Sequence, residues 1–363
     1  MASLPTFVET VRKEFQPSFW WPVQFCVYTT LTSYILSIIT GNVSQVDRVW
    51  TFLPTIYTAY FALLPFWPKN ALLPLFPYTP EETYSEAAQS YSLRALLMLA
   101  LVVIWMFRLS YNTWRRGLFN LNDEDYRWAI LRQRVPPWFF QVVNFTFIAV
   151  IQNIILFSLG LPTHIAAFQQ PSKLSTSDYI LATLALVDLT CEFIADNQQY
   201  SFQTYKKTGV LDKNEWPAAR IAWTPEDAKR GFVTRGLWAW SRHPNFFCEQ
   251  TFWAIITLFP LLAPESPNLP AHPLSSPTAI WPLTPALVLC TLFFSSTLFS
   301  ESISLSKYPE GYSAYQQRVA MFVPFLTPVW GVLLKLQGKQ GKVDALLFKH
   351  GNDTKALENK KSQ

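Results

Sequence analysis

The chain has 363 residues, half of them hydrophobic, with 15 Trp and 29 Phe, which is more apolar surface than a soluble protein of this size can cover. A membrane protein is therefore the first reading. The net charge of +5 is modest, so no nucleic-acid partner is expected, and the placement of the basic residues says more than their sum.

Apolar runs near 18–39, 49–66, 91–107, 138–160, 178–195, 245–263 and 279–300 each approach the roughly 20 residues that cross a bilayer. The expected fold class is all-α: a polytopic bundle of about seven transmembrane helices over residues 1–350, followed by a polar tail at 351–363. The first run is long and lacks a small-residue cleavage site, so it is expected to remain as a span. Residues 321–336 are shorter and interrupted by Pro324 and Pro328, which predicts an interfacial or half-buried segment. The four cysteines, Cys26, Cys191, Cys248 and Cys290, show no paired spacing and read as small buried hydrophobes, and the histidines are scattered, so a metal centre of the His-cluster type is not expected.

Arginine and lysine crowd the connectors after the third and fifth runs, from Arg108 to Arg134 and from Lys206 to Arg242. The loop 161–177 holds only Lys173, and the loop 264–278 holds neither lysine nor arginine. The positive-inside rule then places the N-terminus in the lumen and the C-terminus in the cytosol. In that topology the sequon at Asn42 is cytosolic and unglycosylated. The chain ends KKSQ, which resembles the dilysine signal that retrieves membrane proteins to the endoplasmic reticulum through coat-protein recognition. The long polar connector 196–244 reads as a packed cytosolic cap, with TPED at 224–227 as a helix start capped by Thr224.

The stretch WSRHPNFFCEQTFW, 240–253, carries the candidate chemistry. Pro244 suits the first turn of a helix, and Arg242 and His243 stand at its positive N-terminal end, where a phosphate-bearing ligand fits. Asn245 and Glu249 are four residues apart and share one face, with the acid roughly 6 Å deeper. An ionisable group entering a bilayer is costly and is expected to face the bundle interior. Flanked by Phe246, Phe247 and Phe252, its carboxyl loses hydration, which favours the neutral acid that donates a hydrogen bond to a substrate carbonyl. The plainer reading is that Glu249 pairs with an arginine and fixes helix packing.

RLSYNTWRRG and EDYRW within 108–128, ADNQQYSFQ at 195–203, RGLWAWSRHPNFFCEQ at 235–250 and ESISLSKYPEGYSAYQQRVAMFVPF at 301–325 together resemble the DUF1295 family, within the steroid 5α-reductase-like superfamily. The resemblance covers more than half of the chain, with a core at about 95–330. It implies a multi-span fold that encloses NADPH from the cytosolic side and reduces a carbon–carbon double bond conjugated to a carbonyl in a lipid or steroid-like molecule. By the same resemblance Glu249 polarises the substrate carbonyl, Asn245 contacts the cofactor, and Asp196 and Gln199 form a polar cluster on the cofactor side. Glu301, Tyr308 and Tyr315 match the terminal cofactor-binding segment, and Arg242, His243 and Arg318 are phosphate-side candidates resting on charge and position. Phe246 and Cys248 depart from the family's HPNYxGE pattern. No GxGxxG follows a strand pattern, so a Rossmann domain is not expected. Two alternatives stay open: an S-adenosylmethionine-dependent membrane methyltransferase of the isoprenylcysteine carboxyl type, and a non-catalytic lipid-binding or scaffold protein.

Overall fold

The computed structural model describes residues 17–83, 89–169, 173–264 and 281–348. The Pro-rich loop beyond residue 264 and the tail with its terminal dilysine lie outside the described residues. All regular structure among the described residues is helical, and four segments are long and apolar enough to cross a membrane: Pro17–Thr40, Leu93–Arg115, Pro137–Phe168 and Thr284–Lys307. The chain is thus an all-α, multi-pass membrane protein. It groups into two compact units, Met1–Leu186 with Trp253–Leu289, and Val187–Phe252 with Cys290–Gln363.

In the first unit, α1 (Trp20–Thr40) ends on Gly41, whose φ of 67° is the left-handed conformation glycine adopts without penalty. The expected span 49–66 is divided: α2 (Gln45–Val49) and α3 (Leu53–Ala62) are short, with a turn between them. Pro54 favours restarting the helix at α3, whose Leu53, Tyr57, Tyr60 and Phe61 are buried rather than lipid-facing. Then α4 (Leu93–Arg115) starts at Ser92, whose side chain caps Ala95 N and donates to the carbonyls of Ala166 and Gln169. After α5 (Tyr126–Arg134) come α6 (Pro137–Val143), a π-helical stretch Asn144–Ile151, α7 (Gln152–Ser158) and α8 (Leu161–Phe168). Gly160 permits the approach of α3, because a Cβ there would stand 2.8 Å from that of Tyr57. The long α9 (Thr176–Thr208) is tied to α4 near its start. Arg94 Nε and Nη2 donate to the two oxygens of Asp178 at 2.7 and 3.1 Å, and its Nη1 donates to Gln169 Oε1. Both charged side chains are 0% exposed, and a charge taken from water this completely requires such a partner.

Asn42 is fully used as a structural side chain. Its Nδ2 donates to the carbonyls of Leu121 and Asp123 at 3.3 and 3.0 Å, and its Oδ1 accepts from Ser44 N. A glycan on that nitrogen would leave it one N–H, too few for both donations. Endoglycosidase treatment is therefore expected to leave mobility unchanged in wild type and in Asn42→Gln alike; a shift seen only in wild type would contradict this.

In the second unit, the connector after α9 is packed as expected. Phe202, Tyr205, Trp223, Val233 and Trp238 form a buried cluster, with the indole nitrogens of Trp223 and Trp238 donating to Ser201 Oγ and Ala195 O. The TPED start holds as α10 (Pro225–Arg230), with a reciprocal capping box between Thr224 and Asp227 and a left-handed Gly231 at its end. Burial pushes the Asp227 carboxyl up, but hydrogen bonds from Arg230, the Thr224 backbone and Arg235 more than reverse this and leave it below the ordinary aspartate value. A carboxyl lowered on folding stabilises above its unfolded value and loses that contribution as pH falls through the lowered one. Acid unfolding is thus expected to be less steep in Asp227→Asn than in wild type, and Thr224→Ala is expected to cost about 1 kcal/mol at neutral pH, both read by thermal melts across a pH series.

Three further helices follow α11 (Pro244–Leu261) and α12 (Thr284–Lys307): α13 (Pro309–Arg318), α14 (Thr327–Leu336) and α15 (Gln340–Phe348). Tyr312, Tyr315, Val319, Leu334, Val343 and Leu347 pack together there.

Candidate active site

Pro244 opens α11, so Asn245 and Glu249 do share a face of one helix. Asn245 Nδ2 donates to Asp196 Oδ1 at 3.1 Å, joining α11 to α9. The Asn245 Oδ1 is shielded and has no hydrogen-bond partner in the protein, and the same holds for Gln199 Oε1, on the turn after Asp196. Shielded acceptors of this kind cost free energy unless a donor arrives. Glu249 is 5% exposed, one helical turn from Asn245.

The acid does not stand alone. Asp188, Glu192 and Asp196 recur every four residues on α9 and are all buried, and the Cys248 thiol lies beside Asp188 and Glu192. Four carboxyl groups therefore occupy facing sides of α9 and α11. Asp188 and Glu192 escaped the sequence reading, although acids at 188, 192 and 196 within an apolar run carried the signal: three ionisable groups on one helical stripe.

A second cluster gathers around Glu301 on α12, which is 3% exposed. Arg242 Nε and Nη2 donate to its two oxygens at 2.7 and 3.2 Å. Gln316 Nε2 donates to Oε2 at 2.7 Å, the Tyr312 hydroxyl lies 3.4 Å from Oε1, and His243 Nε2 lies 3.0 Å from the same atom. Burial lowers the His243 pKa more than the carboxylate raises it, so at neutral pH the ring is uncharged and its Nε2–H donates to Glu301. Arg242 also donates to the carbonyls of Gln316 and Val319, and the backbone N–H groups of Arg242 and His243 donate to Ala320 O and Met321 O. The sequence named Arg242, His243 and Glu301 as separate cofactor-side candidates without pairing them; Tyr312 and Gln316, a turn apart on α13, were missed.

These geometries restrict what the candidates can hold. Arg242 is occupied on four of its donor directions, and Arg318 Nε donates to Asp344 at 3.0 Å while its Nη1 faces Thr327 O. A phosphate at either guanidinium would displace a carboxylate of the same unit. The Tyr315 hydroxyl is buried and donates to Trp238 O, and the Tyr308 hydroxyl accepts from Lys206 Nζ with its ring against Gly231. Arg318, Tyr308 and Tyr315 thus hold the cap together rather than join the Asp196–Asn245–Glu249 group. Asn245 Oδ1 and Gln199 Oε1, shielded and without a donor in the protein, are acceptors that a hydroxyl or amide group of a ligand could satisfy.

A family model described as "Protein of unknown function (DUF1295)" matches residues 33–319, bearing out the resemblance read from the motifs. An uncharacterised protein of Schizosaccharomyces pombe is 32% identical over 80% of this chain and 75% of its own length. A protein-S-isoprenylcysteine O-methyltransferase of Tribolium castaneum is 33% identical over 44% of this chain and 59% of its own. No solved structure matches. Together with the membrane helices, these relationships support a membrane enzyme.

Proposed function

The chain belongs to the DUF1295 family, a steroid 5α-reductase-like membrane family, and from that premise we propose that it is an NADPH-dependent reductase of a carbon–carbon double bond conjugated to a carbonyl in a lipid or steroid-like substrate. The observation that carries the reading is the hydrogen bond from Asn245 to Asp196, which leaves a shielded carboxamide oxygen for a ligand one turn above buried Glu249. When bound, the cofactor would supply hydride for the β-carbon. Glu249, as the protonated acid, donates a hydrogen bond to the carbonyl oxygen and stabilises the charge that develops there; a proton from water then completes the α-carbon. Asp196 orients Asn245, and Asn245 and Gln199 accept from amide or hydroxyl donors of the cofactor.

In the proposed topology α9 and α11 also cross the membrane. At roughly 1.5 Å per residue α9 is about 50 Å long, ample for a span plus a cytosolic extension, and its buried acids face protein rather than lipid. With the segment from α2 through α3 to Phe66, rather than α3 alone, as a further, protein-covered crossing, the count returns to about seven, with a lumenal N-terminus and a cytosolic C-terminus. The terminal Lys360 and Lys361 then face the coat proteins that retain the enzyme in the endoplasmic reticulum.

The test is ligand-linked stability of the purified protein. NADPH at a hundred times its dissociation constant is expected to stabilise the folded state by about 2.7 kcal/mol, with S-adenosylmethionine giving no shift. The reverse ranking supports the methyltransferase reading that the Tribolium relative represents. Lipid profiling of cells lacking the protein then names the substrate, through the unsaturated precursor that accumulates.

A further inference from the structure

Helix α14 is built inside out for a helix on a water-facing cap. Its inward stripe is Thr327, Gly331 and Leu334, while Phe325, Leu326, Val329, Val332, Leu333 and Leu336 point outward, with Phe325 and Leu336 each 80% exposed. In water such a contiguous apolar stripe is unfavourable by the area it leaves hydrated. From Pro324 to Leu336 the segment is about 20 Å long, well short of the ~30 Å hydrocarbon core. It therefore cannot cross. Lys335, Lys339 and Lys342 are exposed at its C-terminal end, and no acidic residue occurs between Pro324 and Val343.

We propose that α14 lies in the plane of the membrane, with the 325–336 stripe in the upper acyl chains and Lys335, Lys339 and Lys342 on the headgroups of anionic phospholipid. The same unit contains the exposed Phe294 and Leu298 of α12, a helix long and apolar enough to cross a membrane, so a bilayer beside this unit is expected on independent grounds. The inward stripe explains why this helix is clamped rather than tethered. Thr327 Oγ1 accepts from Ala320 N at 3.0 Å and donates to Trp240 O, and a Cβ at Gly331 would stand 3.1 Å from the Arg318 guanidinium. The segment 319–321 held by Thr327 also supplies the carbonyls that hold Arg242 and His243. The Arg242–Glu301 cluster is thus joined to α14 through three residues of backbone.

The proposal is tested with the full chain in nanodiscs of phosphatidylcholine and phosphatidylserine, carrying the photocrosslinker p-benzoylphenylalanine at Val332, at Leu336 or, as a control, at Gln317, which is exposed on α13. Irradiation is expected to add phospholipid at positions 332 and 336 and not at 317, with phosphatidylserine enriched about fivefold over a bulk share of about a tenth. Lys335→Gln combined with Lys339→Gln and Lys342→Gln is expected to return the adducts to the bulk ratio. Adducts to a second copy of the chain, equal lipid yield at 317, or no lipid adduct at 332 and 336 would overturn the membrane placement. An unchanged phosphatidylserine share in the triple variant would overturn the headgroup assignment.

Discussion

Glu249→Gln is expected to lower turnover of the accumulating unsaturated lipid by about 10²–10³-fold, the usual loss when one donor to a developing oxyanion is weakened or removed. The amide keeps the shape of the side chain but is a far poorer proton donor than a carboxylic acid. Asn245 is a turn away and keeps its bond to Asp196, so stabilisation by NADPH is expected to persist in the variant. That split distinguishes chemistry from packing: an acid that merely fixed helix packing would lower the melting midpoint and leave turnover per folded molecule intact. Full turnover in Glu249→Gln, with NADPH binding retained, would refute the role assigned to the acid. Asn245→Ala is expected to show the complementary pattern, with weakened stabilisation by NADPH, because it removes both the acceptor and the tie to α9.

The largest stability effect is expected at Glu301. Its carboxylate receives Arg242 twice, Gln316 and His243, with the Tyr312 hydroxyl close by, and Arg242 is itself nearly buried. Glu301→Leu leaves a guanidinium charge in the interior with only carbonyls for company, and the cost of breaking such a pair is about 3–5 kcal/mol. For a protein of this size that corresponds to a fall in melting midpoint of about 5 °C. Replacing both partners, Arg242→Met with Glu301→Leu, removes the uncompensated charge and is expected to recover a large part of the loss. A double variant as unstable as Glu301→Leu alone would instead mean that the carbonyl contacts of Arg242 to Gln316 and Val319, and not the ion pair, hold α13 in place.

The two predictions separate groups that looked alike in the sequence. Arg242, His243, Glu301, Tyr308, Tyr315 and Arg318 all read as cofactor-side residues because charge and aromatic polarity at a cytosolic helix mouth suit a nucleotide. The structure gives several of them partners within the protein. Tyr315 turns its hydroxyl to Trp238 O, Arg318 meets Asp344, and Arg242 meets Glu301; these partners lie from 26 to 77 residues away, and no local pattern reports which of the available acids and carbonyls each donor will find.

What could be read along the chain were the properties set by neighbours in sequence. Apolar runs of span length, the proline start of α11, the Thr224–Asp227 capping box and the shared face of Asn245 and Glu249 all follow from helix geometry and local hydrogen bonding, which act over about four residues. The family, too, was legible in the order and spacing of its motifs. Tertiary structure alone decided that residues 45–62 fold as two short helices, because Tyr57, Tyr60 and Phe61 are buried in the first unit's core and hydropathy cannot tell burial in protein from burial in lipid. It alone paired Arg94 with Asp178 across 84 residues and turned the small face of α14 inward. Burial of charge and direction of packing depend on contacts between distant segments, and those contacts exist only once the chain has folded.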